Sequence, residues 1–69
     1  FNLEIDKKNI YLRMDIKMQD KDVDVHLGEE FIMTAKAGKT GVIKIKKKNN
    51  IGQMILDGVN SGKKVILYS

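Results

Sequence analysis

Apolar and polar residues alternate along the first two-thirds of the chain. The longest alternating stretch places apolar side chains at every second position from Ile10 to Met18, with polar or aromatic residues between them. Strict alternation of this kind indicates a β-strand with one buried face. The pattern predicts a strand over residues 10–19, with Met14 and Ile16 on the same buried face.

Shorter alternating segments occur on both sides of this stretch, separated by turn-forming residues. Phe1, Leu3 and Ile5 alternate before a turn at Asp6–Asn9, and Gly38–Gly41 has the glycines of a hairpin loop. Glycine adopts positive φ without steric cost, so it is common in such turns. The remaining predicted strands are 23–27, 31–37, 42–48 and 65–68.

The segment 51–59 has two interpretations. Ile51, Met54, Ile55 and Val59 recur at helical spacing, and Asn50 with Gln53 resembles a capping box. Gly52 and Gly58 would each weaken a helix by about 1 kcal/mol relative to alanine, so we favour a strand from 53 to 59. The fold prediction is an all-β domain: a small antiparallel barrel or sandwich of six to seven short strands, with one short helix near 51–59 as the alternative.

Length and composition limit the classes of function. The 69 residues form one domain, and the start at Phe1 is typical of a mature product or an excised domain. There is no cysteine and only one histidine, so disulfides, thiol chemistry and cysteine- or histidine-rich metal sites are excluded. No apolar run reaches the roughly 20 residues of a membrane span.

Three motif-like segments fail as sites of chemistry. Gly38-Lys39-Thr40 lacks the first glycine of a phosphate loop, because Met33 stands at that position. The acidic run 20–24 lacks the glycine and the final glutamate of a calcium loop. His26 has Asp24 and Glu29 near it in sequence, but no serine or cysteine nucleophile is positioned beside it in the pattern. We therefore expect no enzyme activity, no cofactor and no metal.

Positive charge is concentrated in the second part of the chain. Residues 31–69 contain eight lysines against a single acid, Asp57, whereas residues 1–30 have more acids than bases. Such asymmetry attracts polyanions or orients docking, although a lysine-rich face also keeps a small β domain soluble. The candidate binding surface is a lysine ridge with two neighbours on the polar face: Lys44, Lys46, Lys47, Lys48, Tyr11 and Arg13. Lys36, Lys39, Lys63 and Lys64 are candidates to extend it.

Aromatic residues decide how well this ridge suits nucleic acid. Binding of bases on a sheet needs exposed aromatic rings for stacking. The alternation predicts that Phe1 and Phe31 are buried, which leaves only Tyr11 and Tyr68 exposed. Nucleic-acid binding is therefore the second hypothesis rather than the first.

The carboxy-terminal part of the chain resembles a known family. The segment Gly41-Val42-Ile43-Lys44-Ile45-Lys46, the turn at Asn49-Asn50, and Gly58-Val59-Asn60-Ser61-Gly62 before a final apolar strand resemble the last β segments of the periplasmic flagellar P-ring assembly chaperone. The resemblance spans residues 31–69. It implies a non-enzymatic role outside the cytoplasm, in which a β surface transiently binds the P-ring subunit.

The expected function is a protein-binding or assembly module, with this chaperone as its named form. The alternatives are a small β-barrel that binds RNA or DNA through the lysine ridge, and a structural subunit whose strand edges pair with neighbours.

Overall fold

The computed structural model describes all residues from Phe1 to Ser69. Six strands, one 3₁₀ turn and one α-helix follow one another along the chain: β1 (Asn2–Ile5), β2 (Asn9–Arg13), the 3₁₀ turn (Ile16–Met18), β3 (Asp22–Leu27), β4 (Glu30–Lys36), β5 (Val42–Lys46), α1 (Asn50–Asn60) and β6 (Val65–Tyr68). The prediction of a mostly-β domain with a short helix is confirmed. The helix is not long and apolar enough to span a bilayer.

The strands form two antiparallel three-stranded sheets. Sheet A has the order β1-β2-β5, and sheet B has the order β4-β3-β6. This arrangement corresponds to the sandwich rather than to one closed barrel, and its six strands lie within the predicted number. Each sheet therefore has two edge strands.

Both sheets contribute to one hydrophobic core. The central strands β2 and β3 supply four of its eight buried residues, and α1 adds one fully buried side chain, Ile55. Burying an aliphatic side chain of this size stabilises the fold by roughly 1.5–3 kcal/mol. The buried core residues are Ile10, Leu12, Val23, Val25, Ala37, Ile43, Ile45 and Ile55.

Strand β2 is shorter than the alternation predicts. It ends at Arg13, which is opposite Asn2 of β1 and Val42 of β5. One further backbone hydrogen bond follows, from the Met14 N–H to the Gly41 carbonyl oxygen at 2.8 Å. The chain then leaves sheet A through the 3₁₀ turn. Met14 is half-buried against the core, but Ile16 is 75% exposed, so the prediction of a shared buried face is wrong.

The loop from Ala37 to Gly41 does not close a hairpin. Strands β4 and β5 belong to different sheets, so this loop is a crossover between sheets. Its tightness still depends on glycine: Gly41 has φ +72°, and a Cβ there would lie 2.8 Å from the carbonyl oxygen of Asp15. The strand that follows ends at Lys46 rather than Lys48.

The segment 50–60 is helical, so the preference for a strand was wrong. Asn49, rather than Asn50, caps the helix, and its side chain accepts a hydrogen bond from the Ile51 backbone N–H at 3.1 Å. The two glycines lie on the buried side. A Cβ at Gly52 would overlap the Lys46 carbonyl oxygen, and one at Gly58 would overlap the Leu27 side chain. These glycines permit close packing of α1, which outweighs their low helix propensity.

Both phenylalanines are exposed, contrary to prediction. Phe1 precedes β1 and is 56% exposed, while Phe31 is 54% exposed. The cause at Phe31 is a β-bulge: Val25 pairs with Met33, but the next residue, His26, pairs with Phe31. The extra residue, Ile32, shifts the alternation by one position, so Phe31 turns to the same face as His26.

Gly52→Ala should destabilise the domain by about 2 kcal/mol, although helix propensity alone predicts a gain of about 1 kcal/mol. The added methyl group overlaps backbone of the preceding turn, which cannot move without disturbing β5. Urea unfolding measures the difference. The control is Asn50→Ala, an exposed helix position that should change stability by less than about 0.5 kcal/mol. A stabilised Gly52 variant would contradict the packing role.

Leu12→Asp should unfold the domain, whereas Ile16→Asp should cost less than about 1 kcal/mol. Leu12 is fully buried, and its substitution places an unpaired charge in the core; Ile16 lies in the exposed 3₁₀ turn. Circular dichroism and thermal unfolding compare the two variants. Equal loss of structure in both would show that the chain continues as a strand beyond Arg13.

Candidate functional site

Four of the predicted surface residues line one groove beside sheet A. Lys44 and Lys46 point outward from β5, because their neighbours Ile43 and Ile45 point into the core. Lys47 and Lys48 follow in the turn before α1. The groove has a volume of about 390 Å³ and no hydrophobic residue in its lining. Its lining is Lys7, Lys8, Asn9, Lys44, Lys46, Lys47 and Lys48, and we call it the lysine groove.

Lys7 and Lys8 were missed in the sequence analysis. They lie in the turn between β1 and β2, almost forty residues before Lys46, and reach the groove because β2 pairs with β5. The two turns are joined directly: the Lys47 backbone N–H donates to the Lys8 carbonyl oxygen at 2.9 Å. One feature of the sequence could have indicated this placement of Lys7 and Lys8. The turn Asp6–Asn9 leads into β2, whose alternating apolar residues match those of β5.

A hydrogen-bond network holds the first of these turns in shape. The Asp6 Oδ1 accepts hydrogen bonds from the backbone N–H groups of Lys8 at 2.8 Å and Asn9 at 2.7 Å. Its other oxygen, Oδ2, accepts from the Tyr11 hydroxyl at 3.1 Å. This is the local bonding that favours Asp at turns. The carboxylate thus organises the backbone that presents Lys7 and Lys8.

The same network shifts two pKa values. The two backbone N–H donors lower the pKa of Asp6 below 3.8, assisted by the Tyr11 hydroxyl and the charge of Lys47. Hydrogen bonding to the Asp6 carboxylate raises the pKa of Tyr11 above 10.0. At neutral pH Asp6 is therefore charged and Tyr11 is a neutral donor.

Tyr11 and Arg13 occupy different positions from the lysines. Tyr11 is opposite Lys44 on the outer face of sheet A, so it lies beside the groove, but its hydroxyl is engaged by Asp6. Arg13 is at the far end of β2, and its Nε donates to Glu4 Oε2 at 2.8 Å, which raises the pKa of Arg13. Arg13 is not part of the groove lining.

The lysines of the groove have no acidic partner within ion-pair distance. Arg13–Glu4 is the one salt bridge in the structure. Lys36, Lys39, Lys63 and Lys64, the candidates to extend the ridge, do not line the groove. Six positive charges therefore share one small, polar concavity, where each raises the electrostatic potential felt by an incoming anion.

A second surface lies on the outer face of sheet B and was also missed. The His26 ring packs edge-on against Phe31, with ring centroids 5.5 Å apart, and against Tyr68 at 4.8 Å. Ile66 is opposite His26 on the same face. Phe31 and Tyr68 are each 54% exposed. We call His26, Phe31, Ile66 and Tyr68 the aromatic surface. It could not be predicted from the sequence pattern, because the β-bulge places Phe31 on the opposite face of the sheet from the one that strict alternation predicts.

The edge of sheet B next to this surface is unprotected. Edge strands normally carry charges, bulges or proline that discourage further pairing. Strand β1 contains Glu4, β5 contains Lys44 and Lys46, and β4 is bulged and has charged ends. Strand β6, with the sequence Val-Ile-Leu-Tyr, has none of these features.

The free hydrogen-bonding groups of β6 can be identified. The Gly28 N–H donates to the Lys64 carbonyl oxygen at 2.7 Å, and the register places Ile66 opposite His26 and Tyr68 opposite Asp24. Hydrogen-bonded pairs alternate along an antiparallel ladder, so Ile66 and Tyr68 bond to β3. The backbone N–H and C=O groups of Val65 and Leu67 consequently point away from the sheet.

The structure places the three motif-like features of the sequence in a turn, in strand β3 and in an aromatic cluster. No group of three or more His, Asp or Glu side chains is placed to hold a metal ion. Gly38-Lys39-Thr40 forms the turn that leads into β5, and Asp24 accepts a hydrogen bond from the Thr34 hydroxyl at 2.7 Å. His26 contacts aromatic rings rather than a nucleophile.

Comparison with protein-family models, curated proteins and solved structures found no match for this chain.

Asp6→Ala should lower the pKa of Tyr11 towards 10.0, because the carboxylate that stabilises the protonated phenol is removed. The measurement is ultraviolet absorbance during alkaline titration, in a Tyr68→Phe background so that Tyr11 is the one tyrosine present. Asp57→Ala, which removes a distant carboxylate on α1, is the control and should leave the Tyr11 pKa in place. An unchanged Tyr11 pKa in the Asp6 variant would contradict the network.

Proposed function

We propose that this domain is a non-enzymatic protein-binding or assembly module that receives an extended segment of a partner protein at the edge of β6. The observation that supports this function is the uncharged, unbulged edge strand beside the aromatic surface. Strand addition to an open edge is a recurrent mode of peptide recognition, in which backbone hydrogen bonds supply affinity and side-chain contacts supply specificity.

The backbone contribution comes from Val65 and Leu67. Each offers one N–H and one C=O, and each hydrogen bond contributes about 1 kcal/mol. The side-chain contribution comes from both faces of the added strand. On the outer face, the partner's residues would lie beside Ile66 and Tyr68; on the inner face, they would cover Val65 and Leu67, which are only partly buried.

These contacts define the chemistry of the partner. Its segment should alternate as strands do, with an aromatic or β-branched residue facing Tyr68, because such cross-strand pairs are favourable. Lys63 and Lys64 directly precede β6, so an acidic residue near that end of the segment would be favoured. The segment should carry no proline where it must donate to Val65 or Leu67.

The resemblance of residues 31–69 to the P-ring assembly chaperone supports the same role and suggests a partner. Strand β6 and the aromatic residues Phe31 and Tyr68 all lie within that stretch. A chaperone that binds transiently would use a short edge of this kind, because four residues provide few backbone bonds. The flagellar P-ring subunit is therefore the partner with which to begin, in the space outside the cytoplasm.

Hydrogen exchange provides a test that needs no substitution. In the free domain, the amides of Val65 and Leu67 should exchange rapidly, whereas those of Ile66 and Tyr68 should be protected by β3. Addition of the P-ring subunit should protect Val65 and Leu67 selectively. Protection confined to other strands would contradict docking at β6. Self-association in sedimentation experiments, with the same two amides protected, would instead support the alternative of a structural subunit.

A matched pair of substitutions tests the aromatic surface. Tyr68→Lys should weaken partner binding about 30-fold, since loss of an aromatic anchor costs about 2 kcal/mol. Ile16→Lys makes the same charge change at an exposed apolar residue outside sheet B and should leave binding unchanged. Calorimetry on both variants measures the effect, and equal weakening would show that charge rather than the aromatic surface governs binding.

A further inference from the structure

The lysine groove is separate from the aromatic surface, and its chemistry differs from that of the proposed protein interface. We infer that it binds the phosphodiester backbone of a single-stranded nucleic acid without reading its sequence. The inference does not depend on the proposed function, because the groove lies beside sheet A and the β6 edge belongs to sheet B.

The positive charge of the groove has no compensating acidic partner. Six lysines line about 390 Å³, and none of them forms a salt bridge. Asp6 is the acid that the groove's own turn contains, and both of its oxygens already accept hydrogen bonds. Crowding like charges is unfavourable unless an anion neutralises them, so the groove gains stability when a polyanion occupies it.

The lining argues for phosphate rather than for an acidic protein. Protein interfaces depend on aromatic, methionine and arginine anchors and are depleted in lysine. The groove contains no hydrophobic residue and no arginine. Lysine is a compact point charge with rotatable donors, which suits a chain of phosphates whose positions vary.

The shape and the absence of stacking rings argue for backbone contact without base recognition. Reading duplex DNA requires a helix or ribbon that enters the major groove, whereas the lysines here line a concavity. Tyr11, the nearest aromatic residue, is half-buried and its hydroxyl is bonded to Asp6. A flexible single strand can follow the concavity with its phosphates inward and its bases in solvent.

The backbone at the groove lysines is also held in place by hydrogen bonds. The Lys47 N–H to Lys8 carbonyl bond joins the two turns, and the Asn49 N–H donates to the Lys46 carbonyl at 3.1 Å. The Asp6 carboxylate fixes the turn that presents Lys7 and Lys8. Backbone positions fixed before binding reduce the conformational entropy that binding must overcome.

The experiment measures binding of fluorescently labelled oligo-dT to the full chain by anisotropy at several salt concentrations. Each phosphate contact to a single strand contributes a slope of about −0.7 in log K against log salt. We expect a slope between about −3 and −4, corresponding to most of the six lysines. A slope shallower than about −1, or equal binding of poly-glutamate at the same charge, would overturn the inference.

Two groups of variants separate the groove from net charge. The groove variant combines Lys44→Gln, Lys46→Gln and Lys48→Gln. It should flatten the slope of log K against log salt by about 2. Binding at 0.15 M salt should weaken up to about 50-fold, because each phosphate contact contributes about fourfold to the affinity there. Lys36→Gln, Lys39→Gln and Lys63→Gln remove the same charge from exposed positions outside the groove. This control should change affinity less than about threefold, and equal effects of the two triple variants would overturn the inference.

The turn lysines provide the most specific test. Lys7→Gln with Lys8→Gln should weaken oligo-dT binding up to about 14-fold and flatten the slope by about 1.4. A ridge confined to residues 44–48 would show no such effect. Both lysines are exposed, so thermal unfolding should confirm an unchanged fold, and binding of the partner at β6 should persist. Unchanged oligo-dT affinity in this double variant would overturn the assignment of the groove.

Discussion

The antiparallel pairing of β2 with β5 is the contact on which the rest of the structure depends. It joins residues 9–13 to residues 42–46, so it closes the longest loop within sheet A. Its inner face contributes Ile10, Leu12, Ile43 and Ile45 to the core, and all four are buried. Bringing such distant segments together costs loop-closure entropy, and the apolar area removed from water compensates for it. The same pairing places the β1–β2 turn beside the β5–α1 turn and so creates the lysine groove.

The two sheets divide the chemistry of the surface between them. Sheet A carries its apolar residues inward and a polar, largely basic face outward, with Asp6 and Tyr11 ordering the turn at its edge. Sheet B turns an aromatic cluster outward and leaves β6 open at one edge. An all-polar groove suits anionic chains, whereas an apolar face with free backbone groups suits a protein segment. A domain of 69 residues can thereby hold two kinds of surface on a single core.

Most of the fold could be predicted because alternation is a local property. Ile43 and Ile45 alternate with Lys44 and Lys46, and the structure places the first pair inside and the second pair outside. The failures have tertiary causes. Strand β2 stops at Arg13, and the chain turns out of sheet A through the 3₁₀ turn at Ile16–Met18. Gly52 and Gly58 lie in a helix, where the absence of a side chain lets Lys46 and Leu27 pack closely against them. Phe31 is exposed because one extra residue in β4 reverses the alternation.

Some features of the candidate site follow from the local sequence, and others depend on tertiary contacts. Clustering of Lys44, Lys46, Lys47 and Lys48 follows from their places on one strand and its turn, so the sequence alone determined that a basic ridge exists. The alternation of side chains between the two faces of a strand depends only on neighbouring residues. The apolar core faces of the strands and the turn at Asp6 also depend only on residues close in sequence. Only the tertiary structure decided that Lys7 and Lys8 complete a groove, that Arg13 is engaged by Glu4, and that β6 is an unprotected edge. Strand order and the position of a bulge set these features, and both depend on contacts between residues far apart in the chain, which local pattern does not encode.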